Sequence, residues 1–260
     1  MSDMNPYEPP NSGAASAASA AAGNFIAGGR AVEAGRGWEW IASGFELFKK
    51  QPGTWILMLI VMLVCLILIA IVPIIGGLAN MLLWQIFIGG AMIGCRALDR
   101  GEELEVRHVF AGFKENTSNL VVLGLLALVA WMIVLIPALL MLGGGGFMAA
   151  MHGGGVAAFA ALGLTFVLVM LVVLALTIPI YMALWFAPAL IVFHNLAAVE
   201  AMKASFAACL KNIVPFLLYS VILMVLGMVA AIPFGLGLLI LFPVLVASIY
   251  TAYRDIFLAA

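Results

Sequence analysis

The sequence predicts an all-α fold, a polytopic bundle of six transmembrane helices joined by short cytoplasmic interfacial helices. Of its 260 residues, 66% are hydrophobic and 9% are charged, whereas a soluble domain carries about 25% charged residues. Several apolar stretches approach the roughly 20 residues with which a helix crosses a bilayer. The eleven Lys and Arg residues are confined to a few short stretches between those apolar runs.

The N-terminal residues 1–36 are predicted to form a disordered cytoplasmic tail, and residues 37–260 the transmembrane domain. Acidic Asp3 and Glu8 stand where a signal peptide has basic residues. The segment NPYEPP is followed by many Ala, Ser and Gly residues. A stretch of this composition has too little apolar surface to fold alone.

Residues 37–51 are predicted to form the first interfacial helix. Trp38, Ile41, Phe45 and Phe48 follow one another at spacings of three, four and three residues, which places them on one helical face. The charged residues fall largely off that face, as is typical of a helix lying in the membrane interface.

The first two crossings are predicted over residues 54–72 and 74–95, with a turn at residues 73–77. The spacing Gly90-x-x-x-Gly94 in the second would permit close helix approach. Asn80 and Gln85 are the candidate interior polar residues. Each could form an interhelical hydrogen bond or contact a substrate.

Residues 96–119 form a long polar interval, in which Phe110 and Phe113 indicate a second interfacial helix. The third crossing is predicted over residues 120–142. The glycine-rich stretch GGGGFMAAMHGGG at 143–155 predicts a flexible loop or a broken helix end.

Residues 156–194 contain no charge and are predicted to cross once, because three crossings need about 60 residues. Pro179 and Pro188 should kink this helix or end it early. Residues 197–212, with Phe206, form a third amphipathic segment. Residues 213–253 then supply two crossings, with a turn at Pro233–Gly235.

The basic residues predict the orientation. With six crossings, every Lys and Arg lies in the N-terminal segment, in two alternate loops or at the C-terminal end. Under the positive-inside rule both termini are cytoplasmic. Phe45-x-x-Phe48-Lys49 matches Phe110-x-x-Phe113-Lys114, and residues 206–211 match with a one-residue slip. This similarity suggests three repeated units, although membrane boundaries in general favour such residues.

No catalytic, cofactor or metal site is predicted. His108, His152 and His194 lie in different loops or ends, and no carboxylate lies deep in a crossing. Met148, Met151 and His152 have the ligand types of a soft-metal site, but methionines are scattered along the whole chain. The three cysteines are expected to be reduced thiols. The net charge of −1 gives no basic surface for nucleic acid.

Three stretches carry a resemblance to known proteins: GEELEVRHVFAGFK, FAPALIVFHN and AVEAMKASFAACLKNIVPF. They resemble an uncharacterised family of bacterial six-helix inner-membrane proteins. More distantly, they resemble the membrane domain of bacterial glycerophosphoryl diester phosphodiesterases. The resemblance covers residues 37–255 and implies a membrane domain in the bacterial inner membrane. It carries over no catalytic residue.

Together these observations predict a non-enzymatic inner-membrane protein that associates with lipid or assists another protein. The alternative is a transporter or channel for a neutral or apolar solute, favoured by the proline-kinked helices and by the isolated amides Asn80 and Gln85. Membrane lipid is the expected partner. A homo-oligomer or a complex with another membrane protein is left open.

Overall fold

The structure, a computed structural model, describes residues 25–151 and 155–259. Nine α-helices and one 3₁₀ helix (Val106–Phe113) make up this part of the chain. The α-helices are α1 Arg36–Lys50, α2 Pro52–Ala70, α3 Ile75–Asp99, α4 Thr117–Met151, α5 Val156–Leu184, α6 Ala187–His194, α7 Ala198–Lys211, α8 Ile213–Ala231 and α9 Leu238–Phe257.

Six helical segments are long and apolar enough to cross a membrane, which confirms the predicted fold class. These spans are Pro52–Ala70, Ile75–Asp99, Thr117–Phe147, Leu162–His194, Ile213–Ala231 and Leu238–Phe257. In lipid a helix satisfies its own backbone hydrogen bonds, so long apolar sequences of this kind become helices.

The glycine run at residues 143–146 differs from its prediction as a loop or broken end. Helix α4 continues through it to Met151. Packing accompanies this continuation: Gly145 lies against α5, where a Cβ atom would come within 2.8 Å of Thr165 Cγ2.

The two prolines of the fourth crossing have different effects. Pro179 lies inside α5, whereas Pro188 stands in the first turn of α6, where its missing N–H costs no helical hydrogen bond. The break falls at Trp185 and Phe186. The amide of Phe186 donates to Ser205 Oγ of α7, and that hydroxyl donates to Met182 O. Helix α7 thus satisfies the polar groups that the break frees.

Helices α3 and α9 form the centre of the bundle. In the most apolar stretch of each, 50% and 56% of the residues are buried, against 6% in the span formed by α5 and α6. Helix α1 packs along α9, where Gly44 meets the backbone of Ser248. The aromatic side chains of Trp40, Phe186 and Phe257 lie fully inside the core.

Residues 25–35, which the sequence places in the tail, run along the end of α9. The amide of Ile26 donates to Phe257 O at 2.8 Å, and that of Arg30 to Ile256 O at 2.9 Å. Asn212 accepts from the amide of Val32 and donates to Arg30 O. These residues are hereafter called the strap. The predicted tail residues 1–24 lie outside the described residues.

The three predicted interfacial segments form α1, the 3₁₀ helix and α7. Gly90 of α3 makes the close approach that its spacing predicts, but to the 3₁₀ helix: a Cβ there would lie 2.4 Å from His108 O. The middle segment is a 3₁₀ helix and the other two are α-helices. The threefold repeat stays a prediction.

Candidate functional site: an aromatic groove

A groove with a volume of about 310 Å³ lies between the central and the peripheral helices. Its walls come from α3, α4, α5, α6 and α9. We call it the aromatic groove, and it is lined by Trp84, Gln85, Ile88, Trp131, Tyr181, Leu184, Trp185, Pro188, Phe242, Leu245, Val246 and Ile249.

Two aromatic pairs stand in the lining of the aromatic groove, one from the central helices and one from α4 and α5. Trp84 of α3 meets Phe242 of α9 edge to face, with ring centroids 5.9 Å apart. Trp131 of α4 meets Tyr181 of α5 in the same way at 5.5 Å. Edge-to-face pairs contribute about 0.5–1.5 kcal/mol beyond their burial. Each of these two parts of the lining is therefore braced by its own pair.

The helix break at Trp185 and Phe186 shapes one side of the groove. Phe186 turns into the core, where it is fully buried, and Trp185 lines the groove. The indole N–H of Trp185 is buried and has no hydrogen-bond partner within residues 25–151 and 155–259. A buried donor without a partner costs about 1–3 kcal/mol. This side of the groove therefore offers a hydrogen-bond donor to a ligand.

Gln85 and Asn80, the two predicted interior polar residues, have different surroundings. Gln85 is 7% exposed and lines the aromatic groove. Asn80 lies away from it and donates through Nδ2 to Leu66 O of α2 at 3.0 Å. Such a bond across a hairpin ties two membrane helices together. Gln85 alone of the two contributes to the candidate site.

The predicted interfacial aromatic residues also differ in how far they are exposed. Trp38 and Phe45 of α1 are exposed, at 55% and 43%. Phe48 differs from the prediction that it enters the lipid: it is 6% exposed, because the inner face of α1 packs on the bundle.

The other two interfacial segments are similarly mixed. Phe110 and Phe113 pack edge to face on buried Phe87 and each keeps an exposed side. Phe206 of α7 is half-buried. Insertion of these side chains in lipid stays a prediction.

Trp131, Tyr181 and Trp185 were not identified as site residues from the sequence. One signal was available for Trp131. Membrane tryptophans favour the two interfaces, whereas Trp131 lies in the middle of α4. Its pairing with Tyr181 depends on how α4 and α5 pack, which no short-range pattern reveals.

The chemistry of the lining is that of a binding site for an apolar group. The side chains are aromatic or aliphatic, and their polar groups are the Gln85 amide, the Tyr181 hydroxyl and the indole N–H groups of Trp84, Trp131 and Trp185. No charged residue lines the groove in the part of the chain that the structure describes. The arrangement can hold a hydrocarbon and form a few hydrogen bonds to a neutral polar group.

Comparison with known proteins gives one informative similarity. The chain is 29% identical over 216 residues to a protein of Burkholderia thailandensis named as a "probable inner membrane protein", covering 80% of this chain and 78% of that protein. No protein-family model matches the chain, and no solved structure is a significant match. With the six apolar helices, this similarity supports a multi-pass protein of the inner membrane. The resemblance to the phosphodiesterase membrane domain stays a prediction.

Proposed function

We propose that this protein is a non-enzymatic accessory protein of the inner membrane and that it binds a membrane lipid in the aromatic groove. The observation that carries the proposal is the groove itself, with its apolar lining and its few neutral polar groups. A volume of about 310 Å³ is within the range of pockets that hold small ligands.

The access to the groove favours a ligand that comes from the bilayer. Tyr181 is 52% exposed and Trp84 38% exposed, so both aromatic pairs have an edge at the outer surface of the bundle. That surface faces hydrocarbon, since these residues lie within membrane spans. An acyl chain could enter sideways between these edges, with the Gln85 amide available to an ester or hydroxyl group.

Lipid retention tests this proposal. The full chain, extracted in mild detergent with native lipid, is analysed by native mass spectrometry. The variants Trp131→Leu and Gln85→Leu each alter the groove, and the control Phe166→Leu removes an exposed aromatic side chain of α5 outside the groove lining. We expect the two groove variants to retain at most a third of the lipid that the unaltered protein retains. Equal retention in all four proteins would contradict the proposal.

The alternative, transport of a neutral or apolar solute, is supported by the break between α5 and α6, which borders the groove. Helix breaks beside a binding site are common in transporters. Flux of a neutral solute into proteoliposomes, blocked by Trp131→Leu but not by Phe166→Leu, would favour transport over lipid retention.

The proposed orientation places both termini in the cytoplasm. The basic residues lie in the strap, in α1, around the 3₁₀ helix, in α7 and in the last turns of α3 and α9. With six crossings these segments stand at one end of the bundle, and the positive-inside rule assigns that end to the cytoplasm. A reporter fused at Glu103 should read inside and one at Gly235 outside. A reversed reading at Glu103 would overturn the threading.

A further inference from the structure

A second pocket lies at the basic end of the bundle, away from the aromatic groove. It has a volume of about 360 Å³. Its polar lining comes from the strap, from α1 and from the last turns of α9, namely Arg30, Arg36, Ser43, Thr251, Arg254 and Asp255. We call it the arginine pocket.

Asp255 fixes two of these arginines in place. Its side chain is 6% exposed. It accepts from Arg36 Nε at 2.7 Å, from Trp40 Nε1 at 2.9 Å and from Arg30 Nη2 at 3.0 Å. The carboxylate is therefore occupied on its buried side by three donors, and it acts as a positioning residue for Arg30 and Arg36.

The guanidinium groups keep donors that the protein does not use. A guanidinium carries five N–H donors. The bonds to described residues use two nitrogens of Arg30, both on Asp255, and two of Arg36, on Asp255 and Glu39. Arg254 uses one, on Asp99. The three side chains are 40%, 40% and 47% exposed, so the remaining donors are open to a ligand.

The unused donors of the lining favour an anion. Three arginines and one aspartate line the pocket. Glu39 and Asp99, which pair with Arg36 and Arg254 from outside the lining, balance the remaining charge, so the preference comes from the free guanidinium N–H groups and not from net charge. The arginine fork matches the oxygen atoms of a phosphate group. The Ser43 hydroxyl, also in the lining, offers a further donor.

We propose that the arginine pocket binds the phosphate group of an anionic ligand. Two sources supply such a group at this end of the bundle: an anionic phospholipid, whose headgroup lies at this level of the membrane, and a soluble phosphate compound. The proposal does not depend on the aromatic groove, and the two sites share no lining residue.

The test titrates the detergent-solubilised full chain with phosphatidylglycerol, phosphatidylcholine or inorganic phosphate and records the temperature of unfolding. Arg254→Gln combined with Ser43→Ala removes two contacts and leaves the Asp255 cluster intact. Arg107→Gln is the matched control, because Arg107 is an exposed cation at the same end, outside the pocket. Size-exclusion chromatography confirms that each variant is folded.

We expect phosphatidylglycerol to raise the unfolding temperature where phosphatidylcholine does not. The double variant should need at least about fivefold more of it, since a hydrogen bond to a charged group is lost, and Arg107→Gln should behave as the unaltered protein. Equal protection by inorganic phosphate supports the site and assigns it to a soluble ligand. Equal loss in Arg107→Gln and the double variant, or no protection by either phosphate source, would overturn the proposal.

Discussion

The basic end of the bundle and its opposite half are held together by different means. At the basic end the strap, α1 and α9 share a network of hydrogen bonds centred on Asp255 and Asn212. In the opposite half, α4 and α5 run beside each other with mainly apolar, exposed side chains, among them Ile133, Ile136 and Leu140.

The lengths of the helices sharpen this difference. Helix α4 has 35 residues and α2 has 19, which at 1.5 Å per residue gives about 52 Å and about 28 Å. The hydrocarbon layer is about 30 Å thick. The α4–α5 pair therefore extends beyond the turns of the other hairpins. The aromatic groove lies where α4 and α5 meet the central helices, so part of its lining comes from this peripheral pair and part from α3 and α9.

The largest effect is expected at the basic end, for Asp255→Ala. This change leaves Arg30, Arg36 and the buried indole N–H of Trp40 without their common acceptor. Breaking a fully buried pair costs about 3–5 kcal/mol. Because both arginines are partly exposed, we expect a loss of about 2–3 kcal/mol in the free energy of unfolding in detergent. A loss below about 0.5 kcal/mol would show that the network does not hold this end together.

A smaller effect is expected where α3 meets the 3₁₀ helix, for Gly90→Ala. The new Cβ would lie 2.4 Å from His108 O and 2.7 Å from Val109 O. Overpacking costs about 1–3 kcal/mol. Gly77→Ala in the same helix is the control, because a Cβ there meets nothing within 4 Å. Equal unfolding temperatures for the two variants would contradict the close contact.

A weaker, pH-dependent effect is expected at His108 of the 3₁₀ helix. Its Nδ1 accepts from the amide of Glu105 at 3.0 Å. Burial lowers the pKa of this ring below the usual 6.5, although Glu105 acts the other way. The unfolded chain therefore binds the proton more readily, and the stability present above about pH 6.5 falls as the pH is lowered.

The measurement is the free energy of unfolding between pH 7.5 and 5, for which we expect a fall of less than about 1 kcal/mol, since the ring is partly exposed. His108→Asn keeps an acceptor but does not titrate, so its pH dependence should be flatter. The same slope in both proteins would exclude His108 as the source.

The smallest effect is expected in the peripheral half, for Gly143→Ala in α4. A Cβ there meets nothing within 4 Å, and exposed positions change stability by less than about 0.5 kcal/mol. Thermal unfolding in detergent measures this change. A destabilisation above about 1 kcal/mol would mean that Gly143 itself packs against something in the folded protein.

Features of the fold that depend on local composition could be predicted from the sequence, and features that depend on distant contacts could not. The crossings follow from local composition, so all six were predicted, although α4 continues to Met151, past the predicted end of the third crossing at residue 142. The helical conformation of the glycine run at residues 143–146 was not predicted, because it accompanies the packing of α4 against α5 at Gly145 and Thr165. The ordered path of the strap could not be read from its own composition, because it depends on hydrogen bonds to Asn212 and to the end of α9, which are far away in the sequence.

The candidate site was predictable only in part. Gln85 stood out as an amide in an apolar helix, and it does line the aromatic groove. Asn80 is likewise an amide in an apolar helix, but its side chain forms a hydrogen bond between α3 and α2. The other side chains of the site come from five helices, α3, α4, α5, α6 and α9, and their convergence depends on tertiary packing.

Cross-linking within the membrane tests the central claim, that a lipid chain occupies the aromatic groove, most directly. A phospholipid with a photoreactive diazirine in the middle of its acyl chain is incorporated with the full chain in nanodiscs, irradiated, and the labelled peptides are mapped. Cross-links should concentrate on the groove-facing residues Trp84, Trp131, Tyr181 and Ile249, and Trp131→Leu should reduce them at least threefold. Labelling spread evenly over exposed residues such as Ile133 and Leu140, and unchanged in the variant, would contradict the account.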